Sequence, residues 1–407
     1  MEKNLNISKP NLDEWGQLYQ ASIEFKKIKP WEWMYDDDIF GVKDAESGEI
    51  AYCCIMGNED EYFGIAAYLG SEGLNGILSI LSGEIEPDDP DFIFSQKCLL
   101  VSFEDREALT SEDRKIIKEL GIKFRGRNEW PIFRNYTPGY FPWFITAAEC
   151  RFLTDILKQA TYVALKCKEE GKDFLETESK CKYIDSEYGH EYEHKNGNRK
   201  DDKYDECDTC DECDTCDECD ECDACGDELI FYTRTPRKKD RHIEWNSDYI
   251  APEVHSMEYA SFYLTDELKI RKLQNLGRRR GPAWEVDTFY SPGPVQETKG
   301  ERPYYPKVCL VYDQGRGMIL GFDVVKNIRE EGSKFLELVS RLIEECKQPP
   351  SRILVQREET YYLLFDFCKQ VGINLENVYV LENLDEARYE MRNFFDSINE
   401  TGDEWDD

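Results

Sequence analysis

Residues 39–70 read IFGVKDAESGEIAYCCIMGNEDEYFGIAAYLG. Three short runs rich in aromatic and β-branched residues, IFGVKD, EIAYCCIMG and YFGIAAYLG, are separated by Glu46-Ser47-Gly48 and by Gly57-Asn58. Short apolar runs punctuated by glycine and polar turn residues are the pattern of antiparallel hairpins. Upstream, NLDEWGQLYQASIEFKK (11–27) places Leu12, Trp15, Leu18, Tyr19, Ile23 and Phe25 near a helical repeat that Pro30 bounds. Downstream, Ser71 caps a predicted helix to about Leu81, QKCLLVSFED predicts a strand, and Ser111 to Leu120 a helix stopped by Gly121. WPIFRNYTPGYFPWFI predicts strand or extended structure, and its three prolines keep it out of the middle of a sheet. From Thr146, TAAECRFLTDILKQATYVALKCKEE puts Cys150, Leu153, Ile156, Leu157, Ala160 and Val163 on one helical stripe. Residues 10–168 are thus expected to form an α+β domain.

Charge is unevenly spread over the 407 residues. Residues 169–228 hold 24 Asp and Glu against 7 Lys and Arg, a net −17 out of the chain's −34. Apolar periodicity stops there, so this stretch reads as an acidic, low-complexity, cysteine-rich insert without a fixed fold of its own. Residues 229–302 resume with LIFYTRTP, a strand pattern expected to rejoin the N-terminal sheet. A mixed segment follows, with PRKKDRH, TDELKIRKLQNL and GRRRGPAW, and then the Pro/Gly-rich linker SPGPVQETKGERP. Residues 303–398 predict a C-terminal α/β module. KVCLVYD and MILGFDVV flank the turn Gln314-Gly315-Arg316-Gly317, and they are followed by a helix from Gly332 to Cys346, strand RILVQ, a helix ending before Gly372, strand NVYVLEN and helix DEARYEMRNFFDS. That order requires a mixed sheet, an antiparallel pair joined to parallel crossovers.

The acidic balance disfavours sequence-independent duplex binding, which relies on Lys and Arg at phosphates, and disfavours anionic membranes. MEKNLNISKPNLDEW has no basic start followed by an apolar stretch, and no apolar run reaches 18 residues, so a cytoplasmic location is expected. In a reducing compartment, closely spaced thiols are metal ligands or redox groups sooner than disulfides. The segment ECDTCDECDTCDECDECDAC (206–225) sets Cys207, Cys210, Cys213, Cys216, Cys219, Cys222 and Cys225 at an unbroken spacing of three. Two thiolates separated by two residues reach one tetrahedral ion, and four at about 2.3 Å close a zinc site. Copper(I) is also matched by soft sulfur. The bland alternative is a neutral expansion of the hexapeptide DECDTC. A redox role lacks an adjacent βαβ frame, and acidic neighbours oppose thiolate formation.

Other candidates have plainer readings beside them. His190-Glu191-Tyr192-Glu193-His194 matches H-E-x-x-H, but its polar surroundings lack the apolar face that would bury a catalytic helix, leaving His190 and His194 as accessory ligands to the tract at most. No partners are readable for His242 and His255. Asp36, Asp37 and Asp38 suit a hard cation or, more commonly, an acidic turn. The aromatic group Trp31, Trp33, Tyr35, Phe40, Tyr52, Tyr62 and Tyr68 suits a core before a ligand platform. Basic runs PRKKDR and GRRR suit phosphate contact or, as the net charge favours, neutralisation of the neighbouring acidic insert. In the C-terminal module Asp313, Asp323 and Glu358 stand at or near strand ends, where a ribonuclease-H-like nuclease or phosphoesterase would hold two metal ions. No phosphate-binding loop, dinucleotide fingerprint, nucleophile elbow or kinase signature occurs.

WEWMYDDDIFGVKDAESGEIAYCCIMGN, followed by AAYLGSEGLNGIL, resembles the N-terminal domain of an uncharacterised bacterial family with a WEWM, DDDIFGV and YLGSEGL pattern. VCLVYDQGRGMILGFDVV, RILVQREE and VYVLENLDEA resemble a second domain of unknown function that accompanies it. The resemblance covers most of the chain outside the insert and implies no activity and no site residues. The cysteine tract is not part of that pattern, which marks it as a local addition. The expectation is a binding protein without catalysis, taking an unidentified protein or small-molecule partner, with zinc as the one cofactor its sequence points to.

Overall fold

Asn11 opens the first helix: its side chain accepts from the amides of Asp13 and Glu14 while the Glu14 carboxylate accepts from the Asn11 amide, a capping box. The computed structural model describes residues 8–59, 61–83, 85, 92–175, 180–184, 191–195, 227–239, 242–253, 259–276 and 280–401. It separates into two units, Met1–Thr137 with Pro142–His255, and Pro138–Phe141 with Ser256–Asp407.

In the N-terminal unit the elements are α1 (Leu12–Ile28), β1 (Phe40–Lys43), β2 (Ile50–Met56), β3 (Gly64–Leu69), α2 (Gly70–Leu81), α3 (Phe92–Ser95), β4 (Cys98–Glu104), α4 (Ser111–Glu119), β5 (Trp130–Tyr136) and α5 (Ala147–Glu170). They continue with β6 (Lys180–Ile184), β7 (Glu191–Lys195), β8 (Asp227–Glu228), β9 (Phe231–Lys239) and β10 (His242–Ile250). The main sheet has seven strands in the order β10-β9-β1-β2-β3-β4-β5. All neighbours are antiparallel except β1 and β9, which run parallel through Gly41 and Thr233. Side chains alternate across the strands as the pleat requires. Cys53, Ile55 and Leu99 pack under α1 and α5 with Leu18, Phe25, Leu153 and Ile156, whereas Tyr52, Cys54, Tyr68 and Cys98 face α2 with Leu74 and Ile77. Pro131 sits in β5 at the edge of the sheet, where a missing N–H costs least. Strands β6, β7 and β8 form a separate three-stranded sheet in the order β7-β6-β8.

The motif LGSEGL marks a close approach. Gly70 has φ +61, and a Cβ on Gly73 would lie 2.7 Å from the Lys97 carbonyl oxygen and 2.8 Å from the Tyr68 carbonyl carbon. Only glycine lets the first turn of α2 settle against the ends of β3 and β4.

The C-terminal unit contains α6 (Glu267–Asn275), β11 (Trp284–Tyr290), β12 (Lys307–Asp313), β13 (Met318–Val325), α7 (Ile328–Glu331), α8 (Ser333–Cys346), β14 (Arg352–Val355), α9 (Glu358–Val371), β15 (Asn374–Asn377) and α10 (Glu382–Thr401). Its five strands run β13-β12-β11-β14-β15, with antiparallel pairing from β11 to β13 and parallel pairing from β11 through β14 to β15. Trp284, Val286, Cys309 and Val311 pack against Leu273 of α6, Phe335 and Val339 of α8, and Leu363 and Phe367 of α9. On the other face, Phe289, Val308 and Leu310 pack with Leu384 of α10.

Three sequence expectations need correction. WEVDTFY, which the sequence places inside the mixed segment 229–302, is the central strand β11, so the C-terminal unit begins at Ser256 and not near residue 303. Of PRKKDRH, Pro236 to Lys239 end β9 and His242 begins β10, with Arg237 opposite Glu244 and Lys239 opposite His242. The predicted strand NVYVLEN is displaced: β15 ends at Asn377, and Tyr379, 97% exposed, lies in the turn into α10. The α+β class, the mixed C-terminal sheet and the helices along the chain hold.

Gly73→Ala is expected to destabilise the protein by about 1–3 kcal/mol, because the added carbon forces backbone apart. An unchanged urea midpoint would show that α2 can shift freely.

Candidate functional site

The sequence-predicted metal ligands Cys207, Cys210, Cys213, Cys216, Cys219, Cys222 and Cys225 lie outside the described residues, as do His190 and His255. His194 belongs to β7, so the second half of the H-E-x-x-H match is a strand and not the helix that motif needs. Cys53, Cys54, Cys98, Cys150, Cys167, Cys309 and Cys368 are buried free thiols, with Cys346 partly covered. Burial pushes the thiols of Cys98, Cys150 and Cys368 up to about 12. Such groups pack as small apolar side chains and do not present thiolates to a metal.

Asp36, Asp37 and Asp38 form a turn. Asp38 accepts from the Tyr35 amide at 2.7 Å and pairs with Lys172, whose ammonium lies over the Tyr35 ring, so its charge is already met by the protein. Trp31, Phe40, Tyr52 and Tyr68 are buried in the two cores of the N-terminal sheet, and Trp33 packs beside them. Tyr35 and Tyr62 are exposed.

Asp313, Asp323 and Glu358 are not brought together. Asp313 closes β12 opposite Trp284, whereas Asp323 is opposite Cys309, which in turn faces Thr288. Four residues along a strand separate those levels, roughly 13 Å. Glu358 begins α9 beyond β14, and β12 and β11 stand between that strand and Asp323 on β13. Three strand spacings amount to roughly 14 Å. Asp313 acts locally. One of its carboxylate oxygens accepts from the amides of Gly315 at 2.9 Å and Arg316 at 3.0 Å, which folds the hairpin turn. Glu358 is exposed and takes a hydrogen bond from Tyr259. Among the described residues, no group of three or more His, Cys, Asp or Glu side chains is placed to hold a metal ion.

Among the described residues this unit buries Asp313 and two further carboxylates that the sequence pattern did not single out, Glu285 and Asp287 on β11. Both point from the central strand toward the α10 face, since Trp284, Val286 and Thr288 alternate with them. Glu285 accepts from Gln314 Nε2 at 2.8 Å, Asn383 Nδ2 at 2.6 Å and the Leu384 amide at 3.1 Å. It therefore ties β11 to the hairpin turn and to the positive N-terminal end of α10. Asp287 is fully buried, with the Arg357 guanidinium directly on its carboxylate, Arg388 Nη1 at 3.9 Å and the Thr360 hydroxyl at 3.4 Å. Thr360 shares a 2.6 Å contact with the Thr288 hydroxyl and accepts the Thr288 amide at 3.1 Å. Arg388 lies over the Phe289 ring, 4.9 Å from its centre. Burial raises the Asp287 carboxyl above the usual carboxylate range, with the two arginines opposing that shift. The arrangement neutralises charge inside the fold. Cations already occupy the space a metal ion would need.

Two family models match the chain. Residues 15–184 match a domain of unknown function (DUF7309), and residues 269–392 match another domain of unknown function (DUF6930). Comparison with curated proteins found no match.

Arg357→Met tests the buried pair. A carboxyl raised in the folded state holds its proton to higher pH than in the unfolded chain, so stability falls as pH rises from the ordinary carboxylate range through the folded value. Removing the nearest guanidinium strengthens that trend. The variant is expected to lose about 3–5 kcal/mol near pH 8 and less near pH 4, with Asp287→Asn recovering part of the loss. Urea unfolding at both pH values is the check, and a loss independent of pH would contradict this assignment.

Proposed function

We propose that this chain, which matches two domains of unknown function, is a cytoplasmic binding protein without catalysis of its own, whose acidic insert coordinates a soft divalent ion of the zinc type through Cys207, Cys210, Cys213, Cys216, Cys219, Cys222 and Cys225. The observation that carries the metal reading is the spacing: seven thiols, each separated by two residues, supply more than one tetrahedral set. Support also comes from contrast with the described cysteines, which are almost all spent on packing. The interleaved acids concentrate cations but oppose thiol deprotonation, so uptake falls steeply as pH drops. A reducing compartment keeps such thiols free. No helix among the described residues is long and apolar enough to cross a membrane.

The nuclease alternative would need Asp313, Asp323 and Glu358 to share metal ions. Their positions on the sheet speak against it: Asp313 is engaged by its own turn, and the other two stand on β13 and beyond β14.

Protein purified under reducing conditions without added metal is expected to carry zinc by elemental analysis, and a variant lacking residues 206–225 to carry none. Metal-free wild type, or equal metal in both, would sink the tract assignment. For the alternative, no Mg²⁺- or Mn²⁺-dependent cleavage of nucleic acid is expected; cleavage abolished by Asp313→Ala would restore it.

A further inference from the structure

An open cavity of about 420 Å³ in the N-terminal unit lies between the end of α1, the β2–β3 turn and the segment before β5. Its apolar side is formed by Trp31 and Phe63, whose ring centroids are 5.1 Å apart. Its polar side carries three cations, Lys26, Lys29 and Arg127, and two carboxylates, Glu32 and Glu129, leaving one positive charge in excess. Lys26 is held at the base by Glu129 at 3.0 Å and by the Asn128 carbonyl, and its ammonium sits 5.1 Å from the Phe103 ring. Burial pulls Lys26 below the usual lysine range, a sign that the base is poorly solvated. Among the described residues Lys29 pairs with Glu32, at 3.5 Å, with both side chains more than half exposed, so that pair contributes little and leaves the ammonium available. Arg127 is exposed on the rim.

Backbone strain collects at the same place. Lys29 (φ 51), Tyr62 (φ 50) and Asn128 (φ 53) are left-handed without being glycine, and Gly57 (φ 122) and Gly126 (φ 112) stand beside them. A bulky residue such as Tyr62 in this region is unfavourable on its own, and such residues gather where a loop is held for a ligand. Tyr62 positions Phe63; Lys29 and Asn128 turn the chain at the two sides of the cavity.

We propose that this cavity binds a small organic anion that carries one planar ring, the ring against half-buried Phe63 and the small exposed part of Trp31, and the anionic group between Lys29 and Arg127. The volume lies in the range of small-molecule sites, roughly 300–1,000 Å³, and an apolar wall with a few convergent charges is their usual construction. The anion can come from two sources, a nucleoside monophosphate or an aromatic carboxylate, which share ring and charge. This inference gives the binding protein a small-molecule partner and does not depend on the cysteine tract.

The test uses the full chain with its 8 tryptophans replaced by 5-fluorotryptophan, the Trp31 resonance being assigned from Trp31→Phe. Adenosine 5′-monophosphate and benzoate are titrated separately, and fluorine NMR follows Trp31 with buried Trp284 as the fold control. A saturable Trp31 shift with one probe, weakened about tenfold or more in Arg127→Glu and also in Lys29→Asn, is the expected result. Asparagine tolerates the left-handed backbone at position 29, so this second variant leaves the turn intact. The responding probe identifies the anion as phosphate or carboxylate. No saturable shift with either probe up to about 5 mM, or wild-type affinity retained in both variants, would overturn the proposal.

Discussion

Burying Asp287 in the middle of the C-terminal sheet is the constraint on which that unit rests. A carboxylate taken out of water is costly unless it is paired and hydrogen-bonded. Here the partners come from two distant places in the chain: Arg357 and Thr360 at the start of α9, and Arg388 on α10. Each must be in position for the central strand to be tolerated. Glu285, two residues earlier on the same face, adds Gln314 from the hairpin turn and Asn383 and Leu384 from the start of α10. Two side chains thereby fix the hairpin, the parallel strands and both flanking helices relative to β11.

The same chemistry bears on function. Carboxylates on the central strand of a mixed sheet invite a metal-ion reading, and Asp313, Asp323 and Glu358 invite it in the sequence. In the folded unit the deepest carboxylate meets guanidinium groups, and Asp313 meets backbone amides. What the sheet gains is rigidity. The N-terminal unit differs in that its two cores are built from apolar groups and thiols, while its buried charges are each matched locally, Asp113 by Arg134 and Arg234 by Gln159 and Ser247.

Legibility follows the source of each signal. The hairpins around Gly48 and Gly57, the capped helix α1 and the stripe of α5 are readable because their cause is local: a turn residue, a cap, a period. The first turn of α2 is readable from LGSEGL, although the reason, contact with the carbonyl of Lys97, is not. Strand β11 escapes because Glu285 and Asp287 look like surface residues until Arg357 and Arg388 are placed beside them, some 70 to 100 positions later. NVYVLEN reads as a strand since its apolar residues do pack, Val378 and Leu381 reaching the α10 face, but from a turn. The cavity at Trp31 draws its parts from three segments, and only the aromatic half is visible in sequence, where it reads as core.

The most direct measurement is a Mn²⁺ titration of reduced full-length protein followed by electron paramagnetic resonance, wild type against Asp287→Asn. Uptake by the acidic insert contributes equally to both chains. If Asp287 is neutralised by Arg357 and Arg388, the two titrations coincide. A stoichiometric Mn²⁺ site present in the wild type and lost in Asp287→Asn would contradict the account, and would make the central carboxylate a metal ligand after all.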